Sequence, residues 1–336
     1  MDLLNAFVAL SNFVLIPAIA YGSQLAIGAL GVTLVYGILR FSNFAHGDTM
    51  AFGTMVTILA TWGLQALGVS LGPLPTALLA IPVGIAGCAA LVLFTDRVVY
   101  RFYRGQKVVP VIFVIVSIGV MFIYNGITRL VLGPDDQRFA DGERFIVSAR
   151  DFRDMTGLDE GLAIRTTQGL TVITAIIVVV ALFWFLNRTR TGKSMRAYSD
   201  NEDLALLSGI DPERVVRVTW LIVAALATIA GVLYGLDKSY KPFTYFQLLL
   251  PIFAAAIVGG LGSPLGAIAG GFVIAFSEVG ITYAWKKVLD YTLPEAMAPE
   301  GLVQLLSTDY KFAVSFVILL IVLLFRPTGL FRGKSV

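Results

Sequence analysis

Residues 169–187 read GLTVITAIIVVVALFWFLN, and residues 188–193 read RTRTGK. The first stretch carries no charge over nineteen residues. Roughly 20 apolar residues suffice for a helix to cross a hydrocarbon core. The second sets Arg188, Arg190 and Lys193 just past the apolar end. Basic residues gather at the cytoplasmic ends of spans. One membrane-crossing helix with one oriented end is therefore legible from 25 residues.

The rest of the chain repeats this pattern. Of 336 residues, 57% are apolar and 14% charged, against about 25% charged in ordinary soluble domains; mean hydropathy is +0.83. A soluble fold this poor in charge could not cover its surface with polar groups, and lipid removes that need. Apolar runs lie near 13–39, 44–67, 74–95, 109–133, 169–187, 218–236, 248–262, 265–284 and 311–326. The run at 44–67 contains His46 and Asp48, and those at 248–262 and 311–326 are short for a crossing. The expected fold is an all-α polytopic bundle, a single domain over 1–336, with about nine spans and a range of eight to ten. The opening Met1-Asp2-Leu3-Leu4-Asn5 has no basic region ahead of its apolar stretch, so the first span is expected to be retained.

Linker charges set the orientation. Segment 96–107 holds Arg97, Arg101, Arg104 and Lys107 against Asp96. Segment 188–217 adds Arg196, Arg214 and Arg217, and the tail holds Arg326, Arg332 and Lys334. Segment 134–168 has eight acids against five arginines. Nine alternating spans then place the N-terminus and 134–168 outside, and the C-terminus inside. The acidic segment is expected to be a lid, a docking surface or a solvated connector. The linker 285–310, with Pro294 and Pro299, is a second outside loop.

Several chemistries fall away. Cys88 is the only cysteine and His46 the only histidine, so neither a disulfide within the chain nor a zinc site of the usual kind can form. A net charge of +3 is too small to suggest nucleic acid. Thr189-Arg190-Thr191-Gly192-Lys193-Ser194 ends like a phosphate loop, but Asn187 stands where its first glycine belongs, and a membrane run precedes it. Gly260-Leu261-Gly262-Ser263-Pro264-Leu265-Gly266 has dinucleotide-turn character, with the wrong spacing and membrane flanks. No nucleophile and base pair can be assembled. The chain is read as a translocation subunit, not an enzyme, with no cofactor of its own.

Four features remain. Arg40–Gly47, followed by Asp48, joins two apolar runs through a polar hinge. Asn43, His46, Gly47 and Asp48 either border a solute path at a helix break or form a short cytoplasmic turn. The break Gly259–Pro264 puts Gly260, Gly262 and Ser263 either in a re-entrant helix at a solute site or in a tight turn; the length of Phe272–Tyr283 favours the turn. Glu278 is a lone acid within a span, a functional candidate by default. Met195–Asp211 reads as a short amphipathic helix, with Asp200 as N-cap, Asp203 three residues on, Leu204, Leu207 and Ile210 at helical spacing, and Gly209 as its end. Such a helix suits a partner's groove better than a lipid surface. The pairs Gly231-x-x-x-Gly235 and Gly266-x-x-x-Gly270 predict close helix packing. From the residues alone, a stand-alone channel or secondary transporter and an intramembrane enzyme stay open.

At these residues the chain resembles the branched-chain amino acid ABC permeases of the LivH type. Leu30–Gly37 leading into Asn43–Asp48, Arg196-Ala197 through Ile210, Gly259–Ala267 and Arg326–Phe331 are similar to four blocks of that family; segment 134–168 matches least. The resemblance implies an importer subunit in a bacterial or archaeal inner membrane. Its partners would be a second permease (copy or paralogue), two ATPases carrying ATP and Mg, and an extracytoplasmic solute-binding protein. Segment 188–217 would be the coupling loop, gripping an ATPase through Arg196, Ala197, Asp203, Leu204, Ala205, Leu207 and Gly209. Relatives in the family handle branched-chain and other amino acids, urea, amides and aromatic acids.

Overall fold

A computed structural model describes residues 2–106, 108–294, 299, 301 and 303–331; the basic residues Lys107, Arg332 and Lys334 lie outside these. Among the described residues, eight helices are long and apolar enough to cross a membrane. They are α1 (Asp2–Leu39), α3 (Ala77–Gly105), α4 (Pro110–Leu132), α6 (Thr166–Arg188), α9 (Pro212–Lys238), α10 (Pro242–Gly259), α11 (Pro264–Thr282) and α13 (Thr308–Phe325), with α2 (His46–Ala66) a ninth long helix between the first two. Short helices α5 (Ala149–Thr156), α7 (Arg190–Asp200), α8 (Glu202–Leu207) and α12 (Lys286–Thr292) lie in the linkers. Each of the nine apolar runs is a helix.

The boundaries differ where local chemistry extends a helix. α1 begins at Asp2 and runs 38 residues, about 57 Å. A π-turn at Ser11–Leu15 interrupts it, next to Pro17, whose missing N–H breaks the ladder. The segment expected as a linker after residue 95 continues as helix to Gly105 through a second π-turn, Asp96–Tyr100. Asp96 takes two hydrogen bonds from Arg104 (2.6 and 3.0 Å) and one from Trp220 Nε1 (2.7 Å), which ties this helical extension to α9. The short runs gain length at their N-terminal ends, beginning at Pro242 and Thr308.

α2 is not among the eight because its buried face is polar. Thr49, Thr54, Thr57 and Thr61 are buried in the bundle, and each hydroxyl donates to the carbonyl four residues back at 2.7–2.9 Å. The hydroxyls are thus satisfied within their own helix.

Helices α1, α2, α9, α10 and α11 form the centre, joined through small residues. A Cβ at Gly266 would strike the Gly259 backbone, one at Gly270 the Ala255 carbonyl, and one at Gly231 the Met50 carbonyl at 2.8 Å. Both predicted glycine pairs therefore mark close approaches.

Segment 134–168 is neither all coil nor all helix. β1 (Phe145–Val147) pairs antiparallel with β2 (Ile164–Arg165), and α5 between them is capped by Ser148 and ended by left-handed Gly157. This region is strapped to the bundle. Gln137 and Tyr240 exchange backbone bonds, and Asn5 donates to Asp159. Glu160 meets Lys287 at 2.8 Å and Tyr291 at 2.9 Å. Asp141 accepts from the Thr76 amide (2.7 Å), the Thr76 hydroxyl (2.5 Å) and Gln65 (3.0 Å). Desolvation pushes the Asp141 carboxyl up, but these three donors outweigh it and hold the group below its ordinary value.

Two expectations follow. Gly270→Val should destabilise by about 1–3 kcal/mol, read as a lower melting temperature in detergent, whereas Gly63→Ala, with nothing near its Cβ, should be neutral or better. The Asp141 strap contributes fully above the ordinary carboxylate pKa of about 3.9 and is lost as pH falls through its lowered value. Amide exchange around 137–143, corrected for intrinsic rates, should therefore accelerate only below about pH 4.

Candidate functional site

The polar hinge enters the bundle. α1 ends at Leu39, and Arg40 adopts the left-handed conformation (φ 58°), a strained choice for an L side chain. Its guanidinium donates to the Ser199 carbonyl at 2.6 Å. Phe41 then packs between Tyr100 and Phe113, and Phe44 stacks on Phe253 of α10. Asn43 is buried, and its side-chain Oδ1 accepts from the Ala45 amide (3.1 Å) and the Tyr100 hydroxyl (3.4 Å). The Ser117 hydroxyl takes the Phe44 amide at 3.1 Å. These bonds satisfy irregular backbone in a largely buried segment.

The start of α2 is thus buried within the bundle. His46 is fully buried against Gly31, eight residues before the end of α1, where an added Cβ would lie 2.5 Å from the ring. The ring approaches the Gly28 backbone, but neither nitrogen has a partner at hydrogen-bond geometry among the described residues. Gly47 lies against the Tyr245 carbonyl, 2.6 Å from where its Cβ would be. Asp48 accepts from Asn125 at 2.8 Å with one oxygen, and the other has no partner among the described residues. It lines a groove of about 210 Å³ with Met121, Asn125, Arg129, Phe243 and Phe246. Charge of both signs and apolar rings meet there.

The other predicted residues sit elsewhere. Gly260, Gly262 and Ser263 form a tight turn between α10 and α11, with Gly260 at φ 109° and Gly262 at φ 85°. Ser263 caps α11 by accepting from Gly266. The terminal Leu330 and Phe331 amides bond to the Val258 and Gly259 carbonyls, so two of the sequence blocks meet here. Gly47 touches α10 at Tyr245, about fifteen residues or 22 Å of helix from Gly260. The turn therefore does not join His46 and Asp48, and the re-entrant reading is set aside. Glu278 is a third, separate place: it is buried on α11 and accepts from Ser315 of α13.

The expected Met195–Asp211 helix is two helices. α7 ends at Asp200, and Asn201, not Asp200, caps α8 by accepting from Leu204 at 3.0 Å. Asn201 has the extended backbone of a cap, whereas Asp200 is the last residue of α7. Gly209 ends α8 in the left-handed region (φ 79°), with the Ile210 amide reaching back to the Ala205 carbonyl. Leu204 and Leu207 are 61% and 85% exposed. Asp203, Arg196 and Ala197 are also exposed, with Arg196 bonded to Asn187. Ala205 differs: it is buried with Ile38, Met195, Tyr198 and Val215 and anchors the hairpin. Tyr198 donates to Glu202 at 2.6 Å, bracing α7 against α8.

Asn125, Arg129 and Lys311 are the residues that sequence reasoning did not place at these sites. Arg40 belongs to the polar hinge and Arg129 lies inside the 109–133 run; only the fold brings the one to Ser199 and the other to Asp48.

With this geometry in view, the model of the family described as the branched-chain amino acid transport system permease component matches residues 14–323. The chain belongs to that family. It is 30% identical to the high-affinity branched-chain amino acid permease protein LivH of Escherichia coli K12 over 328 residues, 95% of this chain and 94% of that protein. It is likewise 30% identical to BraD of Pseudomonas aeruginosa over 96% of each chain. The probable LivH of Methanocaldococcus jannaschii is 28% identical over 95% of this chain and 92% of that protein. The protein is thus a membrane-embedded transport permease, and its family is not one of enzymes.

Asp48→Asn keeps the side-chain shape and removes the charge. Uptake by the assembled transporter should fall about tenfold or more with the melting temperature unchanged. Unaltered uptake would remove Asp48 from the path.

Proposed function

We propose that this chain is the permease subunit of an ABC importer that carries branched-chain amino acids into the cytoplasm. A second permease, as copy or paralogue, would close the Asp48 groove. Two ATPases would dock below, and an extracytoplasmic binding protein would deliver solute above. The N-terminus lies outside and the C-terminus inside, as the basic linkers direct. ATP and Mg are held by the partner chains, and this chain binds no cofactor of its own.

One observation carries the reading. The α7–α8 hairpin bears exposed leucines on one side and holds Arg40 through the Ser199 carbonyl on the other. Arg40 begins the segment that delivers His46 and Asp48 into the bundle. An ATPase that grips the leucines would therefore pull on the wall of the path. Energy enters as differential affinity: ATP-bound partners favour one position of the hairpin, and the hairpin favours one setting of residues 40–48. The groove suits the solute, since Asp48 and Arg129 match its two charges and Met121, Phe243 and Phe246 match a branched apolar side chain.

Leu204→Asp or Gly209→Pro should abolish ATP-driven uptake and the pull-down of the ATPases, while the chain still inserts in the membrane. ATPase coupling that survived both changes would place docking elsewhere. Uptake in vesicles without ATP would favour a stand-alone carrier.

A further inference from the structure

At the bundle end that carries segment 134–168, a cavity of about 420 Å³ opens between α1, α11 and α13, within the size range of small-molecule sites. Glu278 lines it and is 1% exposed. One carboxylate oxygen accepts from the Ser315 hydroxyl, and the Tyr21 hydroxyl stands nearby. The second oxygen has no partner among the described residues. An unmatched carboxylate oxygen in such a place is costly, so a donor that completes it gains what the fold left undone.

Lys311 faces the same cavity and does not close on Glu278. Its ammonium lies 5.5 Å over the Tyr21 ring and 4.7 Å over Phe312, and no ion pair joins it to Glu278 among the described residues. Aromatic faces hold a cation without consuming its hydrogen bonds. Lys238, also on the wall, is already paired with Asp237 at 3.2 Å. The cavity therefore presents, among the described residues, one carboxylate oxygen without a partner at hydrogen-bond geometry, beside the Tyr21 hydroxyl, and one ammonium in no ion pair but within electrostatic reach of that carboxylate. Beside them Phe13 stacks on Tyr283, with ring centroids 6.2 Å apart.

We infer that this cavity is a binding site for a zwitterionic α-amino acid, separate from the Asp48 groove: the ligand ammonium completes Glu278, its carboxylate answers Lys311, and an apolar side chain rests on Phe13 and Tyr283. A bare amine would leave Lys311 unanswered, and a bare carboxylate would face Glu278. The site deepens the proposed import function and rests on its solute class. It would hold the amino acid near the mouth before passage.

The test is equilibrium binding of radiolabelled leucine to the complete transporter in nanodiscs, without ATP or binding protein. Saturable binding is expected, with Glu278→Gln and Lys311→Met each weakening it about tenfold or more. Glu278→Gln retains an oxygen for Ser315, and Lys311→Met leaves the carboxylate untouched, so the two variants check each other. Leucinamide, which lacks the carboxylate, and 4-methylpentanoate, which lacks the ammonium, should both compete poorly. Absence of saturable binding, binding indifferent to both variants, or leucinamide competing as well as leucine would each overturn the site. ATP-driven uptake with binding protein is measured on the same preparations. Uptake with charge-independent binding leaves the importer standing and sinks the site; charge-dependent binding without uptake supports the site and sinks the importer reading.

Discussion

The closeness of helix backbones at the centre of the bundle is the constraint on which everything else rests. Lipid tails are as apolar as leucine, so burial gives helices in a membrane no preference for one another over lipid. Contact must come from dispersion and fit. Gly266 against Gly259, Gly270 against Ala255, and Gly271 against Ala26 draw α10, α11 and α1 together. A side chain at any of these positions would strike a neighbouring backbone. Gly53 and Gly231 do the same between α2 and α9. Only because these five helices sit so near one another can the start of α2, residues 46–51, be enclosed.

That enclosure makes an unusual chain path affordable. Residues 41–44 enter the bundle outside regular helix, and each unsatisfied amide at membrane depth costs several kcal/mol. Asn43, Ser117 and Tyr100 answer the polar groups, while Phe41 and Phe44 fill the space beside them with stacked rings. The threonines of α2 bond within their own helix and ask nothing of lipid. In the hinge and α2, among the described residues, the imidazole of His46 and one oxygen of Asp48 stay without partners. Buried polar atoms without partners are rare in folded proteins. They stand where a changing partner, either solute or a moved helix, would meet them.

Most of the helical architecture was legible in sequence because membrane spans obey a simple rule of length and charge. Nine apolar runs became nine long helices. Their ends were less legible, since a helix such as α3 can carry Arg101 and Arg104 beyond the apolar run once Asp96 and Trp220 offer partners. The hinge at Arg40–Gly47 was visible as polar punctuation, but its depth was not. A cytoplasmic turn and an entry into the bundle use the same residues and differ only in where Gly31 and Tyr245 stand. The same limit separated Glu278 from Lys311, thirty-three residues apart and on different helices. The Asn201 cap was missed because Asp200 is an equally good capping residue, and the choice depends on where α7 stops.

The left-handed Arg40 connects these observations mechanically. A glycine there would avoid the strain, and Arg40 forgoes that relief while gaining a 2.6 Å bond to Ser199. The bond fixes the α7–α8 hairpin to the start of the hinge. Between Arg40 and His46 lie only five residues, four of them buried or bonded within the bundle, so little slack exists to absorb a displacement. A packed segment of this kind moves as a body or not at all. In the proposed importer, a shift of the hairpin would be delivered to His46 and Asp48 through this segment. A chain built merely to leave a passage open would have no reason to join its solvent-exposed hairpin to the segment that leads to a deeply buried charge.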